Sequence, residues 1–107
     1  SAAHYSAALR LNPDYAKAYR GRSSIYQKQK KYRKALDDSE KLITLLPDDA
    51  KAHNNLGNLY AILGDHENAI SHYETALKIE PHYDKAKMNY NTLLNKIEST
   101  RISGDQT

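Results

Sequence analysis

Apolar residues in this chain recur three and four positions apart, the spacing of one face of an α-helix. In the stretch from Lys51 to Leu63, Leu56, Tyr60 and Leu63 fall on one side, and Lys51, Asn55, Asn58 and Ile62 follow i, i+4, i+7 and i+11 along the other. The spacing predicts six helices, over about 1–11, 14–29, 32–45, 49–62, 66–79 and 83–98. Gly64 and Asp65 supply a stop signal followed by a start signal. Pro47 and Pro81 fall between helices, where a missing N–H does least harm. The turn "KQKKY" lacks a glycine, so a left-handed cap there would cost roughly 1 kcal/mol. The terminal "ESTRISGDQT" loses periodicity and is expected to be frayed or disordered from residue 100 onward.

The pattern also repeats. Pro13, Pro47 and Pro81 stand 34 residues apart, each followed four positions later by a lysine: Lys17, Lys51 and Lys85. One unit reads His53-x2-Leu56-Gly57-x2-Tyr60, then Ala69-x3-Tyr73, then Pro81. The unit before it reads Tyr19-x2-Arg22-Ser23-x2-Tyr26, then Ala35-x3-Ser39, then Pro47. This resembles the tetratricopeptide repeat family, over about residues 1–98. Gly57 with Ala69, and Ser23 with Ala35, are small where antiparallel helices should touch, while Tyr26, Tyr60 and Tyr73 fill gaps between helices.

The resemblance implies an all-α fold, a right-handed superhelix of antiparallel helix pairs, or α-solenoid. On that template residues 1–13 are the second helix of a truncated unit, 14–47 and 48–81 are complete units, 82–99 form a capping helix and 100–107 a disordered tail. Lys87 and Asn91 make the last helix polar, as a solvating cap needs. The abrupt helical opening "SAAHYSAAL" suggests a piece of something longer.

The family's first helices line a concave groove. Carried over, the groove-facing residues include Lys17, Arg20 and Ser24, then Lys51, Asn54, Asn55 and Asn58, then Lys85 and Asn89. Asparagine is a mediocre helix former, so three in "KAHNNLGNLY" ask for a reason. An amide side chain both donates and accepts, and can grip an extended peptide backbone. The groove set holds no acid, which favours an acidic or carboxylate-bearing ligand. A narrower likeness is to the carboxylate clamp of co-chaperones, which holds a chaperone C-terminus ending in Glu-Glu-Val-Asp. Its places fall on Arg20, Ser24, Asn55, Lys85 and Asn89; Asn55 and Lys85 match in identity and Arg20 in charge, whereas Ser24 and Asn89 depart.

Charge sharpens this picture. The net charge is +3, but residues 15–36 hold eight basic residues and no acid. A nucleic-acid role for that stretch is disfavoured, because Arg22 should face neighbouring helices and Tyr19 and Tyr26 are assigned to packing. Asp37, Asp38 and Glu40 read as surface ion pairs beside Lys34 and Lys41.

The five histidines show no metal spacing. No catalytic constellation or cofactor motif appears, and no metal, cofactor or enzymatic activity is expected. There is no cysteine, no run of membrane-spanning length and no visible targeting segment, so a cytoplasmic place is expected. The expected function is a non-catalytic scaffold binding a protein or peptide partner. The alternatives are a docking domain of a larger enzyme or a weak binder of nucleic acid or anionic surfaces. The apolar side of the first helix, around Tyr5, Ala8 and Leu9, meets only one neighbour, which leaves self-association open.

Overall fold

The computed structural model describes residues 1–105, with side chains through 102. Six helices follow one another: α1 (Ala2–Leu11), α2 (Ala16–Lys28), α3 (Tyr32–Leu45), α4 (Ala50–Ile62), α5 (His66–Ile79) and α6 (Asp84–Asp105). Short connections make successive helices antiparallel neighbours. Each helix packs on the next in chain order, and α4 also touches α6, giving an elongated α-solenoid of 55 × 29 × 18 Å. No strand occurs among the described residues.

Local chemistry sets the helix ends. Asp49 and Asp65 cap α4 and α5, accepting from the Ala52 N–H at 3.1 Å and the Asn68 N–H at 3.2 Å. At the other end of α4, Gly64 takes φ +84°, and the Asp65 N–H closes back on the Tyr60 carbonyl at 2.9 Å. The α2 end makes the same turn with Lys31 N–H on the Tyr26 carbonyl, but its left-handed residue is Lys30, at φ 60°. The strain expected of "KQKKY" is therefore present at Lys30.

Small residues let the helices meet. Ala18, Ala35, Ala69 and Ala86 are wholly buried, as are Leu56 and Leu59. The Tyr73 ring packs against Gly57, where a Cβ would sit 2.6 Å from the ring. Tyr73, Ala69 and Leu93 form one cluster, with Tyr60, Tyr90 and Ile97 packed against it.

Two expectations need correction. Asp38 is not a surface residue paired with lysines. It is buried, and the Arg22 guanidinium grips it from two nitrogens at 2.8 and 2.6 Å while also donating to Ser6 Oγ at 3.0 Å. Arg22 replaces the leucine of the second unit, and only an acid on the facing helix makes that burial tolerable. The tail expected to lack structure from residue 100 is helical through Asp105. Nothing in that segment breaks the helix before Gly104, and Arg101 donates back to Glu98 one turn earlier at 2.6 Å. Residues 106 and 107 lie outside the described residues.

Two histidines join α4 to α5. His53 Nε2 meets the Pro47 carbonyl at 2.8 Å and must donate there, so in the neutral pair its Nδ1 accepts from His72 Nδ1 at 3.1 Å. The His72 ring stacks between His53 and Tyr60, with centroids 5.3 and 5.5 Å away. The Tyr60 hydroxyl donates to Glu40, and burial together with that carboxylate pushes its pKa up to about 12. Burial is the largest influence on His72 and lowers its pKa below the ordinary 6.5; Glu40 opposes the shift and His53 adds to it.

Two outcomes follow for stability. Arg22→Leu should cost about 3–5 kcal/mol in urea unfolding, because Asp38 stays buried without its partner, whereas R22L with D38L should recover most of the loss. A single-variant cost under about 1 kcal/mol would contradict the buried pair. The His72 contribution is complete above its unfolded value of 6.5 and is lost as pH falls through the lowered folded value. Unfolding titrations near pH 7.5 and 5.5 should show lower stability at the lower pH, with a smaller difference in His72→Gln. An unchanged difference in that variant would remove His72 from the account.

Candidate functional site

Antiparallel pairing brings α2, α4 and α6 to alternate positions along the array. The sequence-predicted site residues all lie on these three helices, and five of them line one cavity. A cavity of about 430 Å³ takes in Lys17, Arg20 and Ser24 from α2, and Lys51 and Asn55 from α4. A smaller one, of about 250 Å³, holds Asn89 with Thr92, Leu93 and Lys96 of α6, and Ala61, Ile62 and Tyr73. Lys85 is exposed on α6 and lines neither.

The asparagines divide between tasks. Asn55 is half-buried and faces the larger cavity. Asn58 accepts a hydrogen bond from the Tyr73 hydroxyl, which ties α4 to α5. Asn54 differs most from expectation: it is only 3% exposed, and its carbonyl oxygen accepts from Asn89 Nδ2 at 3.2 Å. One residue is a rotation of about 100° around a helix, and that step turns Asn54 toward Asn89 of α6. Two of the three asparagines thus stitch helices together, and Asn55 lines the larger cavity.

An acid enters the site that the groove pattern did not show. Asp49, at the start of α4, pairs with Arg20. Burial pushes the Asp49 carboxyl up, but the hydrogen bonds from Arg20 and the Ala52 N–H outweigh it and hold the carboxyl below its usual range. Arg20 is thereby fixed against the end of α4. Its Nη1 is buried and has no hydrogen-bond partner. Lys17 and Lys51 are exposed and make no ion pair among the described residues. The larger cavity therefore combines two free ammonium groups, one oriented guanidinium, an amide and a hydroxyl.

Other lining residues escaped the groove reading. Tyr5, Ser23, Gln27 and Ser39 also border this cavity. The signal for Ser39 was present, since it stands 34 residues before Tyr73. Gln27 carried no such signal.

The basic stretch forms a separate feature. Lys28, Lys30, Lys31, Arg33 and Lys34 are exposed around the α2–α3 turn. The tyrosines beside them serve packing. Tyr19 donates to the Pro13 carbonyl at 2.8 Å, and the Tyr26 ring lies 5.8 Å from both the Arg22 guanidinium carbon and Lys34 Nζ. Among the described residues no helix is long and apolar enough to cross a membrane, and no group of three or more His, Asp or Glu could hold a metal ion.

Residues 50–83 match the tetratricopeptide repeat family model, so the match begins with α4 and ends just before α6. No curated protein matches the chain. Among solved structures, the Arabidopsis OM64 TPR domain shares this fold with a TM-score of 0.80, over 86% of this chain and 76% of that one, at 24% identity. At that identity the likeness is one of fold. The chain thus carries a tetratricopeptide repeat on α4 and α5, within an all-helical array that has the fold of a TPR domain.

Proposed function

We propose that this chain is a non-catalytic scaffold that holds an extended acidic peptide, its carboxylate end paired with Lys17, Arg20 and Lys51 at the rim of the larger cavity. The observation carrying this reading is the convergence of Lys17, Arg20 and Lys51 on one cavity that also presents Asn55 and Ser24. Asp49 is already neutralised by Arg20, so the balance left for a ligand is positive. Asn55 can bond a peptide backbone regardless of side chains. In this reading α2–α3 and α4–α5 are the two complete units and α6 is the cap.

The full five-residue co-chaperone clamp is less well supported than a carboxylate site in the first unit. Its Asn89 place lines the other cavity and bonds Asn54, and its Lys85 place lines neither. Carboxylate binding is better assigned to Lys17, Arg20, Lys51 and Asn55.

Fluorescence polarisation with a labelled peptide ending in Glu-Glu-Val-Asp, beside its C-terminally amidated twin, tests this. The free acid should bind more tightly, and more weakly as salt is raised. Lys17→Ala with Lys51→Ala should reduce affinity about tenfold, or ~1.4 kcal/mol. Equal binding of the amidated peptide would remove the carboxylate, and no binding of either would remove the groove reading.

A further inference from the structure

Positions 5, 39 and 73 are 34 residues apart and hold Tyr, Ser and Tyr. They sit at equivalent places on α1, α3 and α5, and both tyrosines fill space against the helix that follows or precedes them. The Tyr5 ring lies on Gly21 of α2, where a Cβ would come within 2.3 Å of it. The Tyr73 ring lies on Gly57 of α4 in the same way. Between them α3 has no ring to offer. The Gly57–Tyr73 pair of the second unit has become Ser23–Ser39 in the first.

The exchange is a coupled one. Ser23 carries the Cβ that a tyrosine at 39 could not tolerate, and the two serines instead meet through their hydroxyls at 2.7 Å. Both line the larger cavity, whose 430 Å³ falls within the roughly 300–1,000 Å³ of ligand pockets. Ser23 donates its only hydroxyl proton to the Ala35 carbonyl at 3.0 Å. Ser39 must therefore donate to Ser23 Oγ, which leaves Ser39 Oγ able only to accept. Tyr5 supplies an aromatic wall and Leu42 an apolar one.

A phenol fits that description: a flat apolar ring ending in one donor. We propose that the cavity takes the side chain of a tyrosine in the bound peptide, with its hydroxyl donating to Ser39 Oγ. This rests on the peptide reading of the groove. Acidic residues flanking that tyrosine then fall to Lys17 and Lys51 at the rim.

Two probes separate this inference from the reading beneath it. The first is p-cresol, the tyrosine side chain alone, followed by amide chemical shifts. It should move the Ser39 and Gln27 amides, and toluene should do so more weakly. The variant S23G with S39Y restores the pair of the second unit, fills the space and should abolish those shifts. The second probe is a set of acidic peptides differing only in a central Tyr, Phe or Ala. Tyr should bind best, with a loss of about tenfold to Ala, and Ser39→Ala should erase the preference for Tyr over Phe while keeping the fold. Equal binding of the Tyr and Ala peptides by the wild-type chain overturns the inference while leaving the acidic groove intact. Equal p-cresol shifts in the filled variant overturn it as well. If p-cresol enters but no acidic peptide binds, the peptide reading falls and takes this occupant with it. Should S23G/S39Y fail to fold, the wild-type shifts and Ser39→Ala still decide the matter.

Discussion

The array depends on how closely two antiparallel helices can approach. Where α4 meets α5 the contact is Gly57 under the Tyr73 ring, with the ring's hydroxyl reaching Asn58. Packing of that kind needs both partners, since a Cβ at 57 would collide with the ring and a smaller residue at 73 would leave a void. Where α2 meets α3 the same place holds two serines bonded to each other, and Ser23 also donates to the Ala35 carbonyl. Both solutions satisfy the backbone geometry. Only one of them fills its space, and the site follows from that difference. The cavity lies in the unit whose packing departs from the repeat.

Polar groups in the first unit obey the same constraint. Arg22 stands where the second unit has Leu56, and Asp38 where it has His72. Neither charge could be buried alone, and together they make a two-nitrogen contact. At the rim, Arg20 pairs with Asp49 through one nitrogen, and its Nη1 has no hydrogen-bond partner. The first unit has traded apolar packing for paired polar groups. The lysines beside it, Lys17 and Lys51, remain unsatisfied by the fold and available to a ligand.

Much of this was legible in the sequence because it depends on period. The 3.6-residue spacing located all six helices, and the 34-residue spacing of the prolines located the repeat. The glycine missing from "KQKKY" announced the left-handed Lys30. What the pattern could not supply was rotation and partnership. Asn54 and Asn55 are adjacent in sequence, yet one is buried against Asn89 and the other lines the cavity. Asp38 looked like a partner for neighbouring lysines because its true partner, Arg22, lies on another helix. Asp49 caps α4, but its pairing with Arg20 spans 29 positions. Contacts between helices decide such cases, and local periodicity does not encode them.

The most direct measurement is an amide chemical-shift map of the chain titrated with an unlabelled acidic peptide carrying a free C-terminus. The account expects the largest shifts at Lys17, Ser24, Lys51 and Asn55, with little change around Asn89 and Lys96. Shifts centred instead on residues 28–34, at the exposed basic turn, or on α6 would place the ligand elsewhere and contradict the central claim.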